Sequence, residues 1–184
     1  MNTITSIALE EICAAQKRLA GIVVRTPLLR LSVEDAPAEI YLKVESLQPL
    51  GSFKIRGAGN AILAADSEQL RGGVWTASAG NMALGLAYHA RRMGLPCTIV
   101  LPEHAMEIKE AALRRMGCHI LKIPYDDWWE IYLTHRYAGL EGLFVHAFAD
   151  PRVMAGQANS NPRPFLCTVC RWTPSFAQIP RSQK

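Results

Sequence analysis

The feature that most constrains this chain is a steady alternation of two hydrophobic periods between Val74 and Ala147. Val74–Ala77 reads as a short strand and Asn81–Met93 as a helix rich in Ala, Leu and Met. Cys97–Leu101 (CTIVL) is a β-branched apolar run, followed by a predicted helix over Glu103–Met116 with Met106, Leu113 and Met116 on one side. His119–Ile123 returns to strand, Asp126–Ala138 to helix, and Leu143–Ala147 to strand. Strands joined through helices by short connections imply right-handed crossovers and a parallel sheet. A strand covered by helices on both faces is continuously apolar rather than alternating, as CTIVL is. The implied fold class is α/β: an open parallel sheet with flanking helices.

The flanks obey other rules. Residues 5–20 have Ile7, Leu9, Ile12 and Leu19 separated by charged residues, which predicts a helix closed by Gly21. Arg25-Thr-Pro-Leu28 is extended, because a residue before proline avoids the α region. Ile40–Val44 alternates as a strand does. From residue 158 onward the pattern breaks: four of the 11 prolines fall there, no acid does, and neither period continues, so residues 158–184 read as an irregular tail.

Charge and cysteine content exclude several functions. The net charge is +4, but Arg163, Arg171, Arg181 and Lys184 all lie in the tail, so residues 1–157 are formally neutral. Nucleic-acid binding needs a basic patch on a folded face, and none is legible. No apolar run reaches the roughly 18 residues of a membrane span. The first residues, MNTITSIALEEIC, lack a basic segment before a long apolar core, so no secretory signal is read and the cytoplasm is expected. Of the five cysteines, Cys97 and Cys118 each open an apolar run and read as small buried hydrophobes of a reducing compartment. Cys167-Thr-Val-Cys170 has no second ligand pair for zinc, and no metal site is expected.

Two stretches carry chemistry. Gly51-Ser-Phe-Lys54-Ile-Arg-Gly57 precedes a helix running to about Ala65. A lysine at a helix N-terminus meets the positive end of the dipole, and partial burial also disfavours its charged form, so a nucleophilic amine becomes accessible near neutral pH. The bland alternative is a solvated lysine beside a serine cap, with glycines that only ease backbone approach. Thr76-Ala-Ser-Ala-Gly-Asn81 runs from the carboxyl end of a strand into a helix, where free N–H groups form an anion pocket. A plain helix cap is the alternative there.

Glu45-Ser-Leu-Gln-Pro-Leu-Gly-Ser-Phe-Lys-Ile-Arg-Gly-Ala58 resembles the cofactor-lysine segment of fold-type II pyridoxal-phosphate enzymes, the threonine/serine dehydratases and serine racemases above all. Arg25-Thr-Pro-Leu28, Ser78-Ala-Gly-Asn81, Pro102 with Lys109 and Gly117, and Asp150-Pro-Arg-Val-Met-Ala-Gly-Gln157 agree in order and spacing. The resemblance covers residues 5–157 and implies a tryptophan synthase β-like fold with pyridoxal 5'-phosphate as cofactor. Lys54 would be the Schiff-base lysine and proton-transfer base. Phe53 would pack beside the cofactor ring and Asn81 would bond its hydroxyl oxygen. Ser78, Ala79, Gly80 and Asn81 would grip the carboxylate of a small amino acid substrate. The implied reaction is loss of a β-hydroxyl to give a 2-oxo acid and ammonia.

The sequence departs from the family in three places. Racemases of this family resemble a Ser-Ser-Gly-Asn pattern whose second serine reprotonates the opposite face. Ala79 has no hydroxyl, which favours elimination over racemisation. Met82 and Leu84 stand where the family usually shows His and Gln, which changes the expected substrate preference. After Gln157 there is no glycine-rich run of the kind that binds the cofactor phosphate, which implies a truncated form. The expected organisation is residues 1–40 from the family's large domain, 41–147 as the small α/β domain, 148–157 returning toward the large domain, and 158–184 as a divergent tail. Two readings stay open: a dehydratase-like lyase, or a non-catalytic small-domain fragment binding cofactor weakly or not at all. A homo-oligomer, or association through exposed apolar surface, is the expected assembly.

Overall fold

The computed structural model describes residues 6–34 and 36–160. The expectations for residues 161–184, including the Cys167–Cys170 pair, lie outside the described residues. The chain runs α1 (Leu9–Leu19), β1 (Leu28–Leu31), β2 (Ile40–Lys43), α2 (Lys54–Leu63), α3 (Ser67–Leu70), β3 (Val74–Ala77), α4 (Asn81–Met93), β4 (Cys97–Pro102), α5 (Glu107–Arg115), β5 (His119–Ile123), α6 (Tyr125–Thr134), β6 (Leu143–Phe144) and α7 (Pro151–Ala158). The four later strands form one parallel sheet in the order β5-β4-β3-β6. β1 and β2 form a separate antiparallel pair.

Both faces of the parallel sheet are covered, as the CTIVL run required. Val74 of β3 and Cys97, Ile99 and Leu101 of β4 pack with Ala58 and Ile62 of α2, Leu86 of α4, Leu113 of α5 and Val153 of α7. On the other face Trp75, Ala77, Val100 and Ile123 meet Ile131 of α6, with Trp128, Tyr132 and Phe144 around them. The Trp128 indole N–H is satisfied by the Val100 carbonyl at 3.0 Å. Cys97 and Cys118 lie side by side in the first of these cores.

Three helices, α1, α2 and α7, pack against one another. Gly156 of α7 faces α2 so closely that an added Cβ would sit 2.6 Å from the Arg56 carbonyl oxygen. Gly57 of α2 serves the same contact from the other side, since a Cβ there would meet Val153 and Gln157 at 2.8 and 2.9 Å. That glycine admits a helix rather than a ligand. Asn60 ties the three helices, donating to the Arg152 carbonyl at 2.8 Å and accepting from Arg18 of α1 at 3.1 Å.

Several boundaries differ from the sequence pattern, each for a local reason. The helix predicted from Glu103 begins at Glu107, because the Glu103 and Ala105 N–H groups bond to Ile123 and Pro102 carbonyls in a turn. Met106 consequently caps α5 and is exposed rather than sharing the buried side with Leu113. The helix predicted to reach Ala138 stops at Thr134, where His135 takes a left-handed φ of 59°. The ladder of β6 spans two residues, although Val145 still donates to Trp75. In α1 only Ala15 and Leu19 are buried, and Leu9 is exposed. No helix among the described residues is long and apolar enough to cross a membrane.

Candidate active site

Lys54 is the first residue of α2. Gly51, at φ 66°, turns the chain into this helix, and the Ser52 hydroxyl accepts the Lys54 backbone N–H at 3.3 Å. Phe53 rather than Ser52 is the capping residue by position, with helical backbone angles. The Lys54 amine reaches across to the turn that follows β6, where it donates to the Ala147 carbonyl at 2.9 Å. It lies 4.2 Å from the centre of the Phe148 ring and 5.2 Å from that of Phe53. Burial pushes the Lys54 amine below its ordinary value of 10.5.

The second predicted stretch comes to the same edge. β3 ends at Ala77, and residues 78–80 lead into α4 at Asn81. Ser78 is buried, with its hydroxyl accepting the Gly80 N–H at 3.3 Å. Ala79 and Gly80 are half-buried and Asn81 is exposed. The Leu84 N–H is the first of α4 to bond back, to Gly80, which leaves the N–H groups of Asn81, Met82 and Ala83 without helical acceptors. Gly80 has an extended backbone that any residue adopts, and an added Cβ would meet nothing within 4 Å. The space before α4 is therefore open.

α2 and α4 lie alongside each other. A Cβ on Gly85 would stand 3.1 Å from the Lys54 carbonyl oxygen, and one on Gly59 would stand 2.5 Å from the His89 ring. The buried His89 Nε2 is 2.8 Å from the Ile55 carbonyl. Gly85 is one helical turn past Asn81, so Asn81 projects about one turn beyond Lys54 at the same edge. Among the described residues no hydrogen bond joins the Lys54 amine to Ser78 or Asn81. Met82 points elsewhere, into the main core, and Leu84 packs against that core.

The Ala147 carbonyl, the Phe148 ring and His146 behind them were missed by sequence reasoning. The available signal was topological: loops at the carboxyl ends of neighbouring parallel strands converge, and β6 is next to β3. Together the groups place an amine whose pKa is lowered by burial near two aromatic rings, with free N–H donors at the start of α4 on the same edge of the sheet. That set suits a planar aldehyde-bearing ring and a carboxylate. No cluster of three His, Cys, Asp or Glu side chains capable of holding a metal occurs among the described residues.

Residues 19–160 match the family described as Pyridoxal-phosphate dependent enzyme. An L-threonine ammonia-lyase of Thermotoga maritima is 44% identical over 155 residues, covering 82% of this chain and 38% of that protein. A beta-hydroxyaspartate dehydratase of Paracoccus denitrificans is 38% identical over 151 residues, covering 80% of this chain and 48% of that protein. The chain thus spans less than half the length of these relatives. Among solved structures, the serine racemase of Dictyostelium discoideum superposes with a TM-score of 0.75 at 34% identity, over 84% of this chain and 51% of that one.

Proposed function

The chain belongs to the pyridoxal-phosphate dependent enzymes, and from that membership we propose that it is the part of a threonine/serine dehydratase-like lyase that carries the reactive lysine. The observation behind this reading is the Lys54 amine, partly buried at a helix N-terminus and held by the Ala147 carbonyl between Phe148 and Phe53. Lys54 would hold the cofactor aldehyde, Phe53 would flank the ring, and Asn81 would bond the ring oxygen. Bound there, pyridoxal 5'-phosphate supplies an electron sink for the charge left at the substrate α-carbon.

The chain's own residues do the rest. Ser78, Ala79, Gly80 and Asn81 would receive the substrate carboxylate, with the free N–H groups that begin at Asn81 attracting its charge. The Lys54 Nζ takes the α-proton, and its lowered pKa enlarges the neutral fraction that this needs. At position 79 a methyl group replaces any hydroxyl, so no side chain there returns a proton to the other face. Elimination from a β-hydroxy amino acid, to a 2-oxo acid and ammonia, is the reaction we assign.

We place residues 41–147 as the small domain. The buried reduced thiols Cys97 and Cys118 support a cytoplasmic setting. The exposed Leu28, Leu29, Leu31, Tyr41 and Leu42 of the β1–β2 pair would meet further protein, either more of the same polypeptide or a second copy. Addition of pyridoxal 5'-phosphate to the purified protein tests the reading. A visible absorbance band should appear, and Lys54→Ala should abolish it. No band, or a band unchanged by the substitution, would overturn the proposal.

A further inference from the structure

Beyond Val145 the chain leaves the sheet, so no strand ladder fixes the carbonyl that meets Lys54. The last sheet-side bonds are Val145 N–H to Trp75 and the Thr76 hydroxyl to the Val145 carbonyl at 2.7 Å. The residues after Val145 form a turn organised by one side chain. The His146 Nδ1 accepts the Phe148 N–H at 3.0 Å and the Ala149 N–H at 2.7 Å.

The Phe148 N–H and the Ala147 carbonyl are two ends of one peptide unit. In a trans peptide they point in opposite directions. An acceptor gripping the N–H from one side therefore aims the carbonyl to the other, and the Lys54 Nζ stands there at 2.9 Å. The same turn sets the Phe148 ring over the amine. We propose that His146 is a positioning residue for Lys54, acting through the Ala147–Phe148 peptide to hold the amine in its sheltered place. This rests on the reading of Lys54 as the reactive lysine.

The surroundings of His146 keep it in the form the turn requires. Accepting two N–H groups at Nδ1 demands a neutral ring with its proton on Nε2. The ring is buried, packed edge-on against Tyr132 at 5.0 Å and beside His135 at 4.8 Å. Burial lowers its pKa, as do the charges of His135 and Lys54, against opposing pulls from Asp150 and the Tyr132 backbone. Below that pKa, a proton on Nδ1 would confront two donors and release the turn.

Three substitutions separate positioning from bulk structure. In His146→Asn the side-chain oxygen falls near the place of Nδ1. In His146→Gln the acceptor lies one bond further out, and in His146→Leu there is none. The readout is the pH dependence of Lys54 modification by trinitrobenzenesulfonate, followed by peptide mass spectrometry, with thermal unfolding to confirm the fold. A loosened turn admits water to the amine. The Lys54 titration should then rise toward the ordinary lysine value in the Leu variant, with a loss of neutral amine, and so of modification rate, at neutral pH. The Gln variant, the one to judge by if Leu fails to fold, should rise in the same direction, and Asn should restore the wild-type curve. Folded Leu or Gln variants with an unshifted curve, or a folded Asn variant that behaves like Leu, would overturn the proposal. Pyridoxal 5'-phosphate labelling, measured in parallel, separates the two readings. A shifted titration without wild-type labelling of Lys54 upholds the positioning and sinks the proposed function. Equal labelling of Lys54 in all variants, with an unshifted titration, does the reverse.

Discussion

Glu45→Gln should destabilise the fold by about 3 kcal/mol at neutral pH, toward the lower end of the cost of removing one partner from a buried ion pair. Arg56 rises from the first turn of α2 with its side chain only 5% exposed, against 13% for Glu45. Its Nε and Nη2 donate to the two carboxylate oxygens at 2.7 and 2.9 Å, and Nη2 also reaches the Val24 carbonyl. The Thr26 hydroxyl and the Gln48 amide donate to the same carboxylate. Whichever way a glutamine amide turned, its NH2 would face an Arg56 N–H, and the guanidinium would keep its burial without a counter-charge. The residual exposure of Glu45 holds the figure near the bottom of the range. For a domain of this size the loss corresponds to about 6–12 °C in Tm.

The pH dependence of this pair supplies a second check. Burial raises the Glu45 pKa, but the bonds from Arg56, Thr26 and Gln48 and the Arg56 charge outweigh it, and the net direction is downward from 4.5. A carboxylate with a lowered native pKa stabilises the fold above its unfolded value and loses that contribution as pH falls through the native one. The gap between wild type and Glu45→Gln should therefore narrow in acid. Urea unfolding at neutral pH and at about pH 3 measures both effects. The double substitution Glu45→Leu with Arg56→Met removes both charges and should recover more than half the loss. A Gln variant within about 1 kcal/mol of wild type, or a double variant worse than the single, would refute the reasoning.

Other expectations are as specific. Gly156→Ala should cost about 2 kcal/mol in urea unfolding, because overpacking two helix backbones outweighs the roughly 1 kcal/mol of helix propensity gained. Gly80→Ala, which meets no atom within 4 Å, should leave stability within about 0.5 kcal/mol, and on the proposed function should reduce any turnover of a β-hydroxy amino acid about tenfold by filling the space before α4. His89 is held neutral chiefly by burial, with its pKa below 6.5. The unfolded chain then binds the extra proton first, so stability should fall as pH drops below about 6.5. His89→Gln should flatten that slope in pH-dependent thermal melts.

The sequence pattern located Val74–Ala77, Asn81–Met93 and His119–Ile123 with the bounds the fold has, because these segments are packed on the faces their periodicity marks. It failed where tertiary neighbours decide. The bond from Glu103 to Ile123 on β5, with the local turn that Ala105 closes on Pro102, delays α5, and the packing of α7 against α2 explains Gly57. Sequence reasoning missed α7, which starts at Pro151 with the Asp150 side chain accepting the Arg152 N–H at 2.9 Å, although Asp before Pro was a usable signal. In the candidate site, residue type makes Lys54 and residues 78–81 candidates beside plainer alternatives, and only the family resemblance gives them roles. The partner of Lys54 carries no such mark, since it is a backbone carbonyl that every residue possesses, 93 positions away. Only the adjacency of β3 and β6 brings it there.

The most direct test of Lys54 as the reactive lysine is borohydride reduction of the protein with pyridoxal 5'-phosphate, followed by peptide mapping. One dominant label should appear, on the peptide containing Lys54, and be lost when Lys54 is replaced by alanine. A label spread over the surface lysines, centred on another side chain, or absent altogether would contradict that role.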